Sequence, residues 1–399
     1  MKNSTKKTQA VNAGKQEDAD IKLVSAILLD ACENRASDIH IEWVAGKMRV
    51  RLRVDGCLRE SNVPIPAEMQ NQVITRLKIM ADLNEKEARL PQDGRILIKV
   101  KDKDYDLRVS VVPYTTGESF VIRILSRQTV VLELDRIGFT QSNLEKLRHW
   151  IKRPNGLIIA GGVTGSGKTT LLYCILQTLN SPEVKITTVE DPVEYIIEGV
   201  NQQMVNVNAG VTFARALRCQ LRQDPDIMLV GEIRDLETVQ IEIQAALTGH
   251  LVLTTLHTPG APETIRRLLD IGVEPFLVNN TLIGTVNQML VRKICEHCKE
   301  EYKPEDWVMD FLGPHKPKQF FRGKGCAKCH NFGYRGRTAI HEMLELDDPL
   351  RKLIAKDAGA EELRQQALTS GMISMKADGL AKASQGITTV EEVLRTCVV

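Results

Sequence analysis

Val24, Ile27, Leu28 and Ala31 recur every three or four residues, a spacing that predicts an amphipathic helix over 21–32. From Met48 the pattern changes. Met48, Val50, Leu52 and Val54 alternate with Arg49, Arg51 and Arg53, which predicts a half-buried strand. Asp55-Gly56 then turns the chain into a hairpin partner that starts at Cys57. A strand over 38–43 and a helix over 66–83 flank this hairpin. A second alternating pair, Ile96, Ile98 and Val100 followed by Tyr105, Leu107 and Val109, straddles the polar turn 101–104. Residues 120–125 read as one more strand. These elements predict an α+β domain over 21–126, after a flexible polar tail over 1–20 and before a linker over 127–138.

Further along, apolar runs become continuous. After a helix over 142–151, residues 157–160, 226–230 and 251–256 are short, mostly apolar runs of the kind that strands buried on both faces show, and 185–189 reads as a further strand. They predict an α/β core. Directly after the first run, Gly162-Val163-Thr164-Gly165-Ser166-Gly167-Lys168-Thr169 fits the G-x-x-x-x-G-K-[ST] loop without mismatch, and a helical run begins at Thr170. Gly162, Gly165 and Gly167 let backbone N–H groups turn inward around a polyphosphate, and the helix N-terminus adds partial positive charge. Thr164, Ser166 and Thr170 complete the candidate nucleotide-binding set. Lys168 would reach the β- and γ-phosphates and Thr169 would hold Mg²⁺.

The other runs also end in chemistry. Lys185 to Val189 leads into Glu190-Asp191-Pro192-Val193-Glu194, and Ile227 to Val230 into Gly231-Glu232. Carboxylates at the C-terminal ends of strands lie where open α/β sheets bind ligands. Glu232 would bind Mg²⁺ through water or orient the attacking water. The run 251–256 is introduced by His250 and delivers His257, which would sense the γ-phosphate or be structural. Arg215, Arg218 and Arg222 share one face of a helix over 213–223, turned to a neighbouring subunit or to solvent.

A length of 399 residues suggests two or three domains, and 43% apolar content is enough for real cores. Net charge is only +2 and aromatic residues make up 4%, which weighs against nucleic-acid binding. The Arg49, Arg51, Arg53 row then reads as a solvated strand face, with nucleic-acid contact as the other reading. Apolar runs fall far short of the ~20 residues of a membrane span. The polar start has no secretory signal, so the cytoplasm is the expected compartment. Four of the nine cysteines fall in two C-x-x-C pairs, Cys295 with Cys298 and Cys326 with Cys329, which have the spacing of a closed structural Cys₄ zinc site. Redox pairs are the weaker reading. Residues 300–321 read as a loop-rich insert, and the chain from Pro349 onward reads as helical.

Together several stretches resemble the type II secretion and type IV pilus assembly ATPases. They are Ala36-Ser37-Asp38-Ile39-His40-Ile41-Glu42, Leu90-Pro91-Gln92-Asp93-Gly94-Arg95, the phosphate loop, Glu190 to Glu194, Leu221 to Asp226, Val230 to Asp235, Thr255-Leu256-His257-Thr258, the four cysteines and Gly386-Ile387-Thr388-Thr389. The resemblance implies a RecA-like ATPase core over 139–290 with a smaller PAS-like N-terminal domain. It also implies a zinc module over 291–345 and a C-terminal helical subdomain over 346–399. ATP, Mg²⁺ and Zn²⁺ are the implied ligands. The implied assembly is a homohexamer at the cytoplasmic face of the inner membrane, driving pilin-like subunits through an integral platform protein, with no nucleic acid bound. Glu190, Asp191 and Glu194 match the Asp box, Glu232 the Walker B acid, and His250 and His257 the His box. Arg108 and Arg123 match arginines that reach nucleotide from the N-terminal domain; residue type alone would make them salt-bridge partners.

Three departures stand out. Only about twenty polar residues precede the match, where relatives often carry a further docking domain. Val163 replaces a proline in the phosphate loop, and Pro259-Gly260-Ala261 replaces Asn-Asp-Ala after the His box. The alternatives are a pilus-retraction or DNA-uptake motor, a zinc-bearing nucleic-acid translocase and a non-hydrolysing scaffold. The cysteine module speaks against retraction, and the intact Lys168 and acid clusters against a scaffold.

Overall fold

Alternation in the first part of the chain folds into a seven-stranded sheet, in the order Gln9–Ala10, Gln92–Val100, Lys103–Tyr114, Gly117–Ser126, Asp38–Val44, Lys47–Val54 and Cys57–Glu60. The structure is a computed structural model that describes residues 9–10, 19–126, 133–312 and 319–397. It divides into two units, residues 1–130 and 131–399. In the first unit, helices Ala19–Glu33 and Gln70–Met80 cover one sheet face, where Val24, Leu28, Val73 and Leu77 meet Ile39, Leu52, Ile96 and Ile122. Met48, Val50, Leu52 and Val54 are buried, and the intervening arginines face outward, as alternation requires. Arg49 and Arg51 both donate to Glu42 on the adjacent strand, at 3.4 and 2.7 Å. That pairing fits a solvated strand face.

Most of the tail and residues 127–132 of the linker lie outside the described residues. Two details differ from expectation. Gln9–Ala10 pairs in parallel with Ile98–Lys99, so part of the tail has structure. The linker's second half packs in the second unit: Leu134 is buried and Ile137 joins an apolar cluster with Trp150 and Tyr173.

The second unit carries its own seven-stranded sheet. Its order is Asn201–Met204, Ile186–Glu190, Ile227–Val230, Leu251–Leu256, Gly156–Gly161, Leu282–Ile294 and Tyr334–Glu345. The first six strands run parallel, and Tyr334–Glu345 is antiparallel to Leu282–Ile294. Strands Gly156–Gly161, Ile186–Glu190, Ile227–Val230 and Leu251–Leu256 are buried along their whole length. This explains why they show no polar–apolar alternation: even Thr187, Thr188, Thr254 and Thr255 are buried. Helices on both faces bury them, among them Lys168–Leu179 on one side and Leu236–Leu247 and Ala261–Ile271 on the other.

The expected module 291–345 begins and ends inside sheet strands, because Leu282–Ile294 and Tyr334–Glu345 are the two that close this edge. The cysteine knuckles and the insert lie between these two strands in the chain. The insert contains a helix, Asp306–Leu312, and a two-stranded ribbon of Lys299–Glu301 and Phe321–Gly323. Four short helices occupy 348–397. Among the described residues no helix is long and apolar enough to cross a membrane.

Candidate active site

Because six strands run parallel, the residues that follow Gly161, Glu190, Val230 and Leu256 all emerge at one edge of the sheet. The phosphate loop lies between strand Gly156–Gly161 and helix Lys168–Leu179. Gly167 sits at the helix start with φ 89°, a left-handed conformation that glycine adopts without strain. A Cβ on Gly162 would come within 2.5 Å of both the Gln288 carbonyl oxygen and Ser166 Oγ, so only glycine fits there. Val163, Thr164 and Gly165 form the exposed tip, and Thr169 and Thr170 are exposed in the first helical turn. Val163 points outward, so the loss of proline at this position disturbs no packing.

Lys168 is buried, and its Nζ donates to the carbonyls of Gly162 and Val163 at 2.6 and 3.1 Å. Burial lowers its pKa, and the Glu232 carboxylate opposes that shift. Ser166 Oγ is buried with no hydrogen-bond partner. A loop whose glycines exclude side chains, with a buried hydroxyl unpaired and a buried ammonium bonded only to loop carbonyls, suits a polyphosphate.

Glu232 centres a charged cluster beside this loop. Gly231 is bonded on both sides, its N–H to Val189 O at 2.8 Å and its carbonyl to Thr255 Oγ1 at 2.6 Å, which fixes where Glu232 emerges. Arg234 donates to Glu232 at 2.6 Å and to Asp191 at 3.1 Å. His257 Nε2 lies 3.3 Å from the other Glu232 oxygen. The turn after His257 is held by Asn287, whose amide donates to Thr258 O at 3.2 Å. Ala261 N–H donates to Glu342 at 2.8 Å, so the Pro259-Gly260-Ala261 variant leads directly into a helix. A cleft of about 530 Å³ opens next to the cluster, lined by Arg234, His257, Glu263, Arg266 and Arg267 among others.

Glu190 has very different surroundings. It is 3% exposed and accepts from Tyr173 Oη, from Thr188 Oγ1 at 2.6 Å and from Gln202 Nε2 at 3.2 Å. Burial raises its pKa, against these three donors. Tyr173 lies on the phosphate-loop helix and Gln202 on the edge strand, so Glu190 ties those elements together. Glu194 is exposed, with its N–H directed to Tyr173 Oη at 3.3 Å.

His250 is not brought to the site within this chain. It precedes Leu251, at the start of a strand whose other end delivers His257, about 20 Å away at ~3.3 Å per residue. Its ring Nδ1 lies 2.9 Å from Ala245 O. Arg215, Arg218 and Arg222 each have a partner inside the chain: Gly210 O, Glu237 and Arg218 O. In the first unit, Arg123 Nε donates to Asp38 at 3.3 Å, and Arg108, its cross-strand neighbour, is exposed.

The four cysteine sulfurs lie within 4.8 Å of one another. The separations are 3.9 Å for Cys295–Cys326, 3.8 Å for Cys298–Cys329 and 3.7 Å for Cys326–Cys329. A tetrahedron with metal–sulfur bonds of about 2.3 Å has edges of about 3.8 Å, so the cluster fits zinc. The N–H groups of Cys326 and Gly333 point at Cys329 Sγ, both at 3.3 Å, which would favour a thiolate there. His297 and His330 stand outside the cluster.

Sequence reasoning did not single out Arg234, Tyr173, Gln202, Gln288 or His341. Arg234 was detectable, two residues after Glu232 in a matched stretch. The others are polar residues whose partners come from distant elements.

A glycine loop ahead of a helix, with acids delivered by neighbouring parallel strands to the same edge, defines a P-loop nucleotide-binding α/β protein. The type II/IV secretion system protein family matches residues 14–395, and the chain belongs to that family. It is 46% identical over 383 residues to the type II secretion system protein E of Pseudomonas aeruginosa, a match spanning 95% of this chain and 76% of that one. It is 47% identical, at the same coverage, to the type II secretion system ATPase E of Vibrio cholerae. Against the type IV pilus assembly ATPase PilB of Thermus thermophilus identity is 46%, over 95% of this chain and 43% of that one. Among solved structures, the pilus retraction motor PilT with bound ADP aligns with a TM-score of 0.61 at 27% identity, over 93% of this chain and 95% of that one. The Legionella pneumophila ATPase DotB shares the fold, with a TM-score of 0.70 at 21% identity over 98% and 99%.

Proposed function

We propose that this chain hydrolyses ATP and that hydrolysis powers the assembly of pilin-like fibres in a type II secretion or type IV pilus machine. The observation that carries the chemical reading is the charged edge where Lys168 and Glu232 meet the phosphate loop. Backbone N–H groups of residues 162–168 bind the polyphosphate. Lys168, poorly solvated and bonded only to carbonyls, exchanges them for phosphate oxygens. Thr169 and Glu232 would hold Mg²⁺, which when bound neutralises charge on the phosphates. Glu232 orients the attacking water, and Arg234 fixes the carboxylate by bonding it and Asp191 together. His257, against the second Glu232 oxygen, is placed to respond when that carboxylate changes partners. Glu190 supports the site from within the core. Arg108 and Arg123 are candidate nucleotide ligands by their match to the family's arginines.

Relatives that carry secretion or pilus-assembly names share 44–49% identity with the chain, against 27% for the retraction motor, which favours the assembly reading. The working form is a homohexamer at the cytoplasmic face of the inner membrane, coupled to an integral platform protein. The test is Mg²⁺-dependent phosphate release by the purified chain. Lys168→Ala should cut it about a hundredfold to a thousandfold while zinc content and melting temperature stay put. Unchanged turnover would remove the assignment.

A further inference from the structure

Behind the phosphate loop, two buried side chains form a rigid brace that the proposed reaction does not itself use. Gln288 is 2% exposed and His341 is fully buried, and they are direct cross-strand neighbours on Leu282–Ile294 and Tyr334–Glu345. Gln288 Nε2 donates to the carbonyl of Ser166 at 2.7 Å. Its Oε1 lies 2.9 Å from His341 Nε2. An amide oxygen has only lone pairs, so His341 must carry its proton on Nε2. Burial first, and then Lys382, push the His341 pKa well below its usual value, which keeps the ring neutral with that one proton.

Each partner is itself held. Phe139 stacks on the His341 ring at 3.8 Å and 16°. The His341 backbone N–H donates to Asp378 at 2.8 Å, and Asp378 is paired with Lys382 at 2.6 Å. Lys382 and Asp378, on one helix, are the charged groups next to His341. The loop leaves no slack around Gln288, because a Cβ on Gly167 would come within 2.6 Å of its Nε2.

We propose that Gln288 and His341 are positioning residues for nucleotide binding: His341 sets the direction of the Gln288 amide, and the amide pins the Ser166 carbonyl so that the loop's N–H groups face the phosphates. A carbonyl turned the other way would point its negative end toward the ligand. The inference rests on the reading of residues 162–169 as a nucleotide loop. It adds that the loop is shaped from the antiparallel edge of the sheet, through residues that touch no nucleotide.

The test measures ADP and ATP affinity in the full chain with a fluorescent nucleotide. Gln288→Met, similar in length but without a donor, should weaken binding about tenfold, the cost of one unpaired buried acceptor. His341→Phe, which frees the amide to turn, should weaken it by a similar factor. The double variant should be no weaker than either single one, because both act through one bond. Gln288→Glu separates positioning from mere packing. Its carboxyl can donate to Ser166 only when protonated, so affinity should recover relative to wild type as pH falls from about 8 to about 6, the range of a buried carboxyl. Additive losses, or a Gln288→Glu profile parallel to wild type, would overturn the proposal, as would variants that bind as tightly as wild type. A wild-type chain that binds no nucleotide would instead remove the functional reading itself.

Discussion

Glu190 ends one strand and Glu232 follows the adjacent parallel one, at the same edge of one sheet, yet their surroundings differ in almost every respect. Glu190 is sealed among Tyr173, Thr188 and Gln202, and burial raises its pKa. Glu232 is partly exposed, is felt electrostatically by Lys168, and shares Arg234 with Asp191. The contrast teaches that a strand end supplies the place for an acid but not its task. Three neutral donors around a buried carboxyl build a strut, whereas one arginine and one histidine around an open carboxylate build a site that can reorganise when ligand arrives.

The largest expected effect breaks the site as a whole. Lys168→Ala should cut phosphate release by about a hundredfold to a thousandfold, the scale of losing one preorganised donor to a transferring group. Next comes the comparison itself. Glu232→Gln should lower turnover about a hundredfold or more, while Glu190→Gln, whose remaining oxygen can keep the bonds from Thr188 and Gln202, should stay within a few-fold of wild type. If the two variants ranked the other way in steady-state assays, the assignments would have to be exchanged. Cys326→Ser should cost the chain its bound zinc, read by elemental analysis, and loosen 295–333 to proteolysis, because a tetrahedral site with three thiolates is no longer closed.

Smaller effects sharpen the picture. Arg123 pairs with Asp38 but is 65% exposed, so Arg123→Ala should change stability by no more than ~1 kcal/mol. A fall in turnover of about tenfold or more at unchanged melting temperature would mark it as a nucleotide ligand rather than a strand-face ion pair. The smallest effect concerns pH. Because the folded pKa of Glu190 is raised above 4.5, the folded state keeps this proton longer than the unfolded chain does. The associated stability is fully present below the unfolded pKa and is lost as pH rises through the folded one. Glu190→Gln cannot ionise, so its melting temperature should gain on wild type as pH climbs above 4.5. A margin that stays flat with pH would show that Glu190 titrates as an exposed acid.

Much of this was legible in the chain. The phosphate loop, the three strands that flank its chemistry and the four cysteines each have a local signature, whether a glycine spacing, a short apolar run or a paired thiol. What stayed hidden depends on residues brought together from far apart. Nothing in 282–294 alternates, because both faces of that strand are largely buried, so no sequence pattern sets Gln288 apart from its polar neighbours Thr285 and Asn287. Glu190 looked equivalent to Glu232 until Tyr173 and Gln202 closed over it. His250 shows the reverse: it stands before a strand that runs parallel to the others, and that order alone puts it at the far edge of the sheet.

The most direct measurement takes Glu232→Gln and follows nucleotide affinity and phosphate release in the same preparation. The account predicts ATP bound with near wild-type affinity and release reduced about a hundredfold or more, with zinc retained. Release at the wild-type rate, or a chain that no longer binds ATP at all, would contradict the assignment of Glu232 as the residue that orients water.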